Sequence, residues 1–266
     1  MARRAGAAGG RRPWQAARVT RIELDGAWSI TGHLNGGYLT SVCGQAASDA
    51  LDGAAPLTIS THYLHPARGA GPADVEVDVV RRGRLSTARV TLSRDGLALV
   101  DAFVTAGSPK DTPVEVDAAV PPALPPIDEC PDSGADGPAV GMELLRTLEV
   151  RPHPTVGHAI SGGPALDDMA TWGWCRYRDG RPVDAALLMA AWDVLPPTPW
   201  AAHVFAGTPT VSSQVVLYPG AAVGPLIIEA RCDTLRGGII DETARVWDST
   251  GRLVSSARQT AILAMR

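Results

Sequence analysis

Lysine is almost missing from this chain: Lys110 is the only one among 266 residues, and arginine supplies nearly all the positive charge. Alongside so much alanine, glycine and proline, that scarcity reads as a compositional bias and carries no function. A basic surplus is missing too. The formal net charge is −4, which leaves no electrostatic footprint for nucleic acid. The four cysteines, Cys43, Cys130, Cys175 and Cys232, show no CxxC pair and no histidine at metal-ligand spacing, so they read as free thiols. No apolar run approaches the ~18 residues of a membrane helix. The arginine pairs Arg3-Arg4 and Arg11-Arg12 do not lead into an apolar export segment, because Gln15, Arg18, Arg21 and Glu23 interrupt the stretch beyond them. No phosphate-binding loop, dinucleotide fingerprint, metal cluster or Ser-His-Asp arrangement is present. These absences leave a soluble, cytoplasmic globular protein as the expectation, with no membrane partner and a frayed arm over residues 1–13.

What is present is a repeat. Residues 108–141, rich in Pro, Asp and Gly and containing Pro121-Pro122 and Pro125-Pro126, read as a linker. It separates two candidate domains, 14–107 and 142–266. In the first, Asn35 caps a helix reaching Leu51, with Leu39, Val42, Cys43 and Ala46 on its apolar face. Strands are expected next over 57–64, around Val75-Val77-Val79, around Val90 and Leu92, and after the Asp95-Gly96 turn. In the second, Asp184 caps a helix through Leu187, Leu188, Ala191 and Leu195 that stops at Pro196-Pro197. Strands are expected over 208–218, 226–234, 239–248 and 253–264. His65-Pro66 aligns with Tyr218-Pro219, and Gly71-Pro72 with Gly224-Pro225, at one common offset. Asp95-Gly96 meets Thr250-Gly251 at an offset two residues longer, so the hairpin between has grown. A helix and then a four-stranded antiparallel meander, twice over, predicts an α+β fold in which each sheet covers its own helix.

The order of Gly32-His33-Leu34-Asn35-Gly36-Gly37-Tyr38, Thr61-His62-Tyr63-Leu64-His65-Pro66, Gly83-Arg84-Leu85-Ser86-Thr87-Ala88-Arg89, Ala191-Trp192-Asp193 and Val254-Ser255-Ser256-Ala257-Arg258-Gln259 resembles the double-hotdog acyl-CoA thioesterases of the thioesterase II type and their actinobacterial relatives. The resemblance runs from about Trp28 to the C-terminus. It implies two tandem hotdog domains and hydrolysis of an acyl-CoA or acyl-carrier thioester in fatty acid metabolism. No cofactor is expected, coenzyme A entering only as part of the substrate, and the chain would pair further into a homo-oligomer. It also implies an Asp-Thr-Gln site in the second half, which falls on Asp193, Thr210 and Gln259, with Thr208 the alternative threonine.

On chemistry alone, Asp193 ends an apolar helical run, where a carboxylate needs donors, and Thr and Gln supply neutral ones. Together they can hold a water whose proton Asp193 draws off. The competing readings are a carboxylate reaching solvent beside the prolines, ordinary strand propensity for the threonine and a solvent-facing Gln259. The helix start Asn35-Gly36-Gly37 is the expected supplier of oxyanion donors, or else a point of tight packing. Gln45 is placed about where Asp193 sits on the other helix, suggesting one working site per chain. Arg81, Arg82 and Arg84 offer either phosphate contacts or a solvated hairpin tip, and His33 and His65 read as structural. Two other functions stay open: an acyl-thioester binding module without turnover, and a hotdog dehydratase or hydratase, for which no histidine is placed near Asp193.

Overall fold

The computed structural model describes residues 18–109, 116–135 and 141–264. The arm over residues 1–13 and Lys110 lie outside them. The first half runs β1 (Arg18–Leu24), a small hairpin of β2 (Ser29–Ile30) and β3 (His33–Leu34), helix α1 (Gly36–Ala50), then β4 (Pro56–Tyr63), β5 (Gly71–Arg81), β6 (Leu85–Arg94) and β7 (Leu97–Gly107). The second half runs α2 (Leu144–Thr147), β8 (Leu148–Pro152), α3 (Pro154–Ile160), β9 (Ala170–Tyr177), α4 (Ala185–Ala190) and α5 (Thr198–Ala201). It ends with β10 (Thr210–Leu217), β11 (Leu226–Arg236), β12 (Ile239–Trp247) and β13 (Leu253–Ile262).

Eleven strands form one antiparallel sheet in the order β1-β5-β6-β7-β4-β10-β13-β12-β11-β9-β8. The two halves mirror each other about the β4–β10 seam, where Thr58 to His62 pair with Val216 to Ser212. Pairing β4 with β10 removes one exposed edge from each half, so duplication in one chain solves the edge problem that a lone meander leaves open. The expected meander is therefore short by one strand, β1, in the first half and by two, β8 and β9, in the second. β1 pairs with β5, and β9 with β11 in the same antiparallel sense. The segment RVTRIEL of β1 alternates Val19 and Glu23 outward with Ile22 and Leu24 less exposed, a weak version of the strand period at the sheet's margin.

Asn35 caps α1 as expected, its Oδ1 accepting from the Tyr38 amide at 2.9 Å. Leu39, Cys43, Ala47 and Leu51 recur every fourth residue and are buried against the first half of the sheet. The second helix is shorter than its apolar run predicts. It ends at Ala190 and tightens into a 3-10 turn over Ala191–Asp193. Its cap, Asp184, accepts at Oδ1 from the Leu187 amide and from the Tyr177 hydroxyl, both at 2.8 Å. Asp184→Ala removes both bonds and is expected to cost about 1–2 kcal/mol, read as a lowered denaturation midpoint in urea.

Glycine decides how the helices meet. Gly37 and Gly44 lie two turns apart on one face of α1. A Cβ at the first would stand 2.4 Å from the Ala190 carbonyl oxygen, and at the second 2.3 Å from Met189 Sδ. The backbone of α4 therefore touches the α1 backbone at Gly37 only because that side chain is absent, while Gly44 makes room for the Met189 side chain.

Residues 119–125 lie along the second half of the sheet on the face away from α1 and α4, and the segment ends at Pro131 against α3. The indole N–H groups of Trp247 and Trp174 donate to the carbonyls of Ala119 and Pro125 at 2.9 and 3.0 Å. Arg178 grips Asp132 through two bonds of 2.9 Å and holds that carboxyl below its usual range. A proline-rich strand has no internal hydrogen bonds, so its carbonyls are free to satisfy the tryptophans beneath it.

Candidate functional site

Below the N-terminus of α1, a straight row of polar residues crosses four adjacent strands. Thr61 on β4 pairs with Ser213 on β10, Ser213 with Gln259 on β13, and Gln259 with Glu242 on β12. Directly paired residues share a face, so all four side chains point toward the helices, and all are buried. On either side the row turns apolar, to Ala102 on β7 and Cys232 on β11. The polar stripe is confined to the seam between the halves and the strands next to it.

Asp193 hangs over this row from the end of the 3-10 turn. Its Oδ2 accepts from Asn35 Nδ2 and from the Gly37 amide, both at 3.0 Å, and Asn35 Nδ2 also donates to the Asp193 backbone carbonyl at 2.7 Å. Asn35 thus works at both ends, its oxygen capping α1 and its nitrogen holding Asp193. Asp, Ser or Thr would cap the helix equally well, but a carboxylate there would repel Asp193. The expected oxyanion donors Asn35, Gly36 and Gly37 accordingly serve the carboxylate in this geometry. Asp193 Oδ1 makes no hydrogen bond among the described residues.

The balance of forces on Asp193 is unequal. Burial disfavours its charge, and the nearby Glu242 carboxyl adds repulsion; the Gly37 and Gly36 amides and Asn35 oppose both. Burial wins, and the Asp193 carboxyl is raised to about 7. The positive end of α1 softens this cost without cancelling it.

Thr210 and Gln259 are brought together, with the Thr210 hydroxyl donating to Gln259 Oε1 at 2.6 Å. Asp193, Thr208, Glu242 and Gln259 line one partly open cavity of about 40 Å³ with Trp192 and the Pro196-Pro197 turn. Thr210 is not on its wall and touches it only through Gln259, so the two candidate threonines occupy different places. A cavity of this size holds water and no more than a few molecules of it. On the other side of Pro196 an open groove of about 380 Å³ runs between α3 and Pro131.

Glu242 was not anticipated. Its Oε1 accepts from Gln259 Nε2 and its Oε2 from the Thr198 hydroxyl, each at 2.6 Å, and burial raises its carboxyl. A signal was present in the sequence: Ile240, Ala244 and Val246 share its inward register, and a lone carboxylate among them has to be satisfied or used.

Gln45 corrects another expectation. It is exposed and bonds Asp49 at 2.8 Å, away from any site. The capping residues show why, since Asp193 lies nine positions after Asp184 while Gln45 lies ten after Asn35. One residue is about 100° of helix rotation, and Gly44 is the true counterpart. Arg81, Arg82 and Arg84 are exposed at the β5–β6 tip, where Arg82 reaches Ala50 and Asp52 at the far end of α1 from Asp193. His33 lies in the β2–β3 hairpin and His65 Nδ1 bonds the Ala98 carbonyl; neither lines the cavity. Among the described residues no group of three or more His, Cys, Asp or Glu is arranged to hold a metal, and no helix is long and apolar enough to cross a membrane.

Comparison with known proteins agrees with this layout. The acyl-CoA thioesterase N-terminal domain matches residues 24–107 and the acyl-CoA thioesterase C-terminal domain matches residues 126–263. A thioesterase II candidate from Thermobifida fusca superposes with a TM-score of 0.82 at 29% identity, covering 93% of this chain and 92% of that one. A hot dog fold protein of unknown function from Alicyclobacillus acidocaldarius gives 0.81 at 21% identity, over 94% of each chain. An uncharacterised protein of Mycobacterium tuberculosis is 28% identical over 93% of this chain and 92% of its own length.

Proposed function

The chain belongs to the acyl-CoA thioesterase family, with both hotdog domains in one polypeptide, and from that premise we propose that it hydrolyses acyl thioesters of coenzyme A or of a carrier protein with Asp193 as general base. The observation that carries this reading is the small cavity where Asp193 and Gln259 meet. Asp193 is held by Oδ2, which leaves Oδ1 to take a proton from a water in that cavity. Gln259 has one Nε2 hydrogen engaged by Glu242 and a second available to the same water, which fixes the direction of its lone pair.

The water oxygen then bonds to the thioester carbonyl carbon while its proton passes to Asp193. Collapse of the tetrahedral intermediate breaks the C–S bond, and protonated Asp193 returns the proton to the leaving thiolate. The products are a carboxylic acid and a thiol. The cavity is too small for an acyl chain, and the groove beyond Pro196 has the volume of a small-ligand site.

The test is thiol release from a panel of acyl-CoAs of increasing chain length. Turnover is expected with at least one of them, and Gln259→Ala is expected to lower kcat by about 10²-fold. Saturable binding of the panel with no thiol released would replace this reading with that of an acyl-thioester binding protein.

A further inference from the structure

A second carboxylate at the cavity wall is more than the proposed reaction needs, and its contacts suggest what it does. Glu242 is buried, and no cation among the described residues pairs with it. All its hydrogen bonds come from neutral donors, the Thr198 hydroxyl, the Thr198 amide and Gln259 Nε2. A carboxylate in that setting costs stability that a buried apolar residue would not.

We propose that Glu242 is a positioning residue, one that aims the Gln259 amide into the cavity and is itself held in place by Thr198 from the turn that closes the cavity. The inference rests on the hydrolytic reading of the site. An ionised carboxylate only accepts hydrogen bonds, so Gln259 has to present Nε2 to Glu242 and leave Oε1 for the Thr210 hydroxyl. Both ends of the amide are then specified, at 2.6 Å each. Gln259 lines the cavity, and the one hydrogen left on Nε2 is available to a molecule there. With the charge removed the amide is free to rotate by half a turn, presenting Oε1 to position 242 and losing that donor.

The chain Thr198–Glu242–Gln259–Thr210 therefore runs from α5 across β12 and β13 to β10, and gives Thr210 a role through Gln259 without touching the cavity. Titration in this cluster is confined to Asp193 and Glu242. The other ionisable groups near them are the Tyr63 hydroxyl and the Cys232 thiol. Both are raised by burial and so stay neutral over the working pH range.

Glu242→Gln keeps the shape and the bonding capacity while removing the charge. It is expected to lower kcat by roughly 10–100-fold with little change in KM. It should also move the acidic limb of the kcat/KM profile to lower pH, because the repulsion felt by Asp193 is gone. That shift reads the charge of Glu242 beside Asp193, while the fall in kcat at unchanged KM reads its hold on Gln259.

A measurement independent of turnover uses protein labelled with 15N-glutamine. The chain has four glutamines, Gln15, Gln45, Gln214 and Gln259, and the last is identified by its loss in Gln259→Ala. One Nε2 proton of Gln259 should lie well downfield of those of exposed Gln214, and should return toward them in Glu242→Gln. If the Gln259 protons coincide with those of Gln214 in the wild type, or if Glu242→Gln keeps the wild-type rate and pH profile while the wild type turns over, the proposal is overturned and the hydrolytic reading stands. A displaced proton in a wild type that hydrolyses nothing supports the coupling of Glu242 to Gln259 and sinks the hydrolytic reading instead.

Discussion

Asp193→Asn is expected to lower kcat/KM by about 10³-fold, within the range for removing a general base. The substitution is close to isosteric. The new side-chain oxygen can still accept from the Gly37 amide, so the helix junction survives while the basic oxygen is lost. Two further measurements separate this from misfolding. In the wild type, kcat/KM should rise with pH through about 7 and level off above it, as Asp193 loses its proton. In the variant that dependence should vanish from whatever activity remains.

Stability should move the other way. The Asp193 carboxyl is raised from 3.8 to about 7 in the folded protein, so between those values the native state binds more protons than the unfolded chain. Stability from this group is then fully present at low pH and lost as pH rises toward 7. Each pH unit of displacement is worth ~1.4 kcal/mol, and partial relaxation around the group reduces the sum. Asp193→Asn should therefore be more stable than the wild type by about 1–3 kcal/mol at pH 8, with the gap closing near pH 4. Equal midpoints at pH 8, or an unchanged rate, would remove Asp193 from the centre of the site. A site that stores free energy in an uncomfortable base is the usual trade between activity and stability.

The parts of this molecule that could be read from sequence are those written locally. Asn35 and Asp184 announce the two helix starts, Asp95-Gly96 announces a hairpin, and the spacing of the two halves announces duplication. Asp193 could be singled out because it ends an apolar helical run. What stayed hidden depends on register between distant strands or on close backbone approach. That Glu242 stands opposite Gln259, and Gln259 opposite Ser213, is a property of three strands paired across the chain. A shift of one residue would turn Glu242 to the other face. The shortening of α4 into a 3-10 turn is equally nonlocal. It brings Asp193 to the N-terminus of α1, a contact between the two halves that no local pattern records. The edge strand β1 escaped because a half-exposed strand at a sheet margin has a diluted alternation. At the other margin β8 and β9 escaped because they are mostly buried, Trp174 of β9 bonding the Pro125 carbonyl, so no polar face alternates.

Gly37→Ala should be among the damaging single methyls at the described glycines, and it bears directly on the site. Inside a helix, replacing glycine by alanine ordinarily gains up to about 1 kcal/mol, and nothing in the conformation of Gly37 opposes it, since its φ is not positive. The surroundings reverse the sign. The added Cβ would lie 2.4 Å from the Ala190 carbonyl oxygen and 3.0 Å from its carbonyl carbon and Cα, and these are backbone atoms with no side-chain rotamer to give way. Relief requires α1 and α4 to separate, which disturbs a contact between two buried helices at a cost of about 1–3 kcal/mol or more. The same separation draws the Gly37 amide away from Asp193 Oδ2, now 3.0 Å, and loosens the carboxylate that Asn35 and Gly37 hold in place. The variant is thus expected to lose both melting temperature and turnover. A thermal melt and an acyl-CoA assay on one sample check the two together. Because α1 belongs to the first half and Asp193 to the second, such coupled loss means that the N-terminal domain orients the base of the C-terminal one. A melting temperature at or above that of the wild type would show that the helices tolerate the methyl, and the junction would then not be what fixes Asp193.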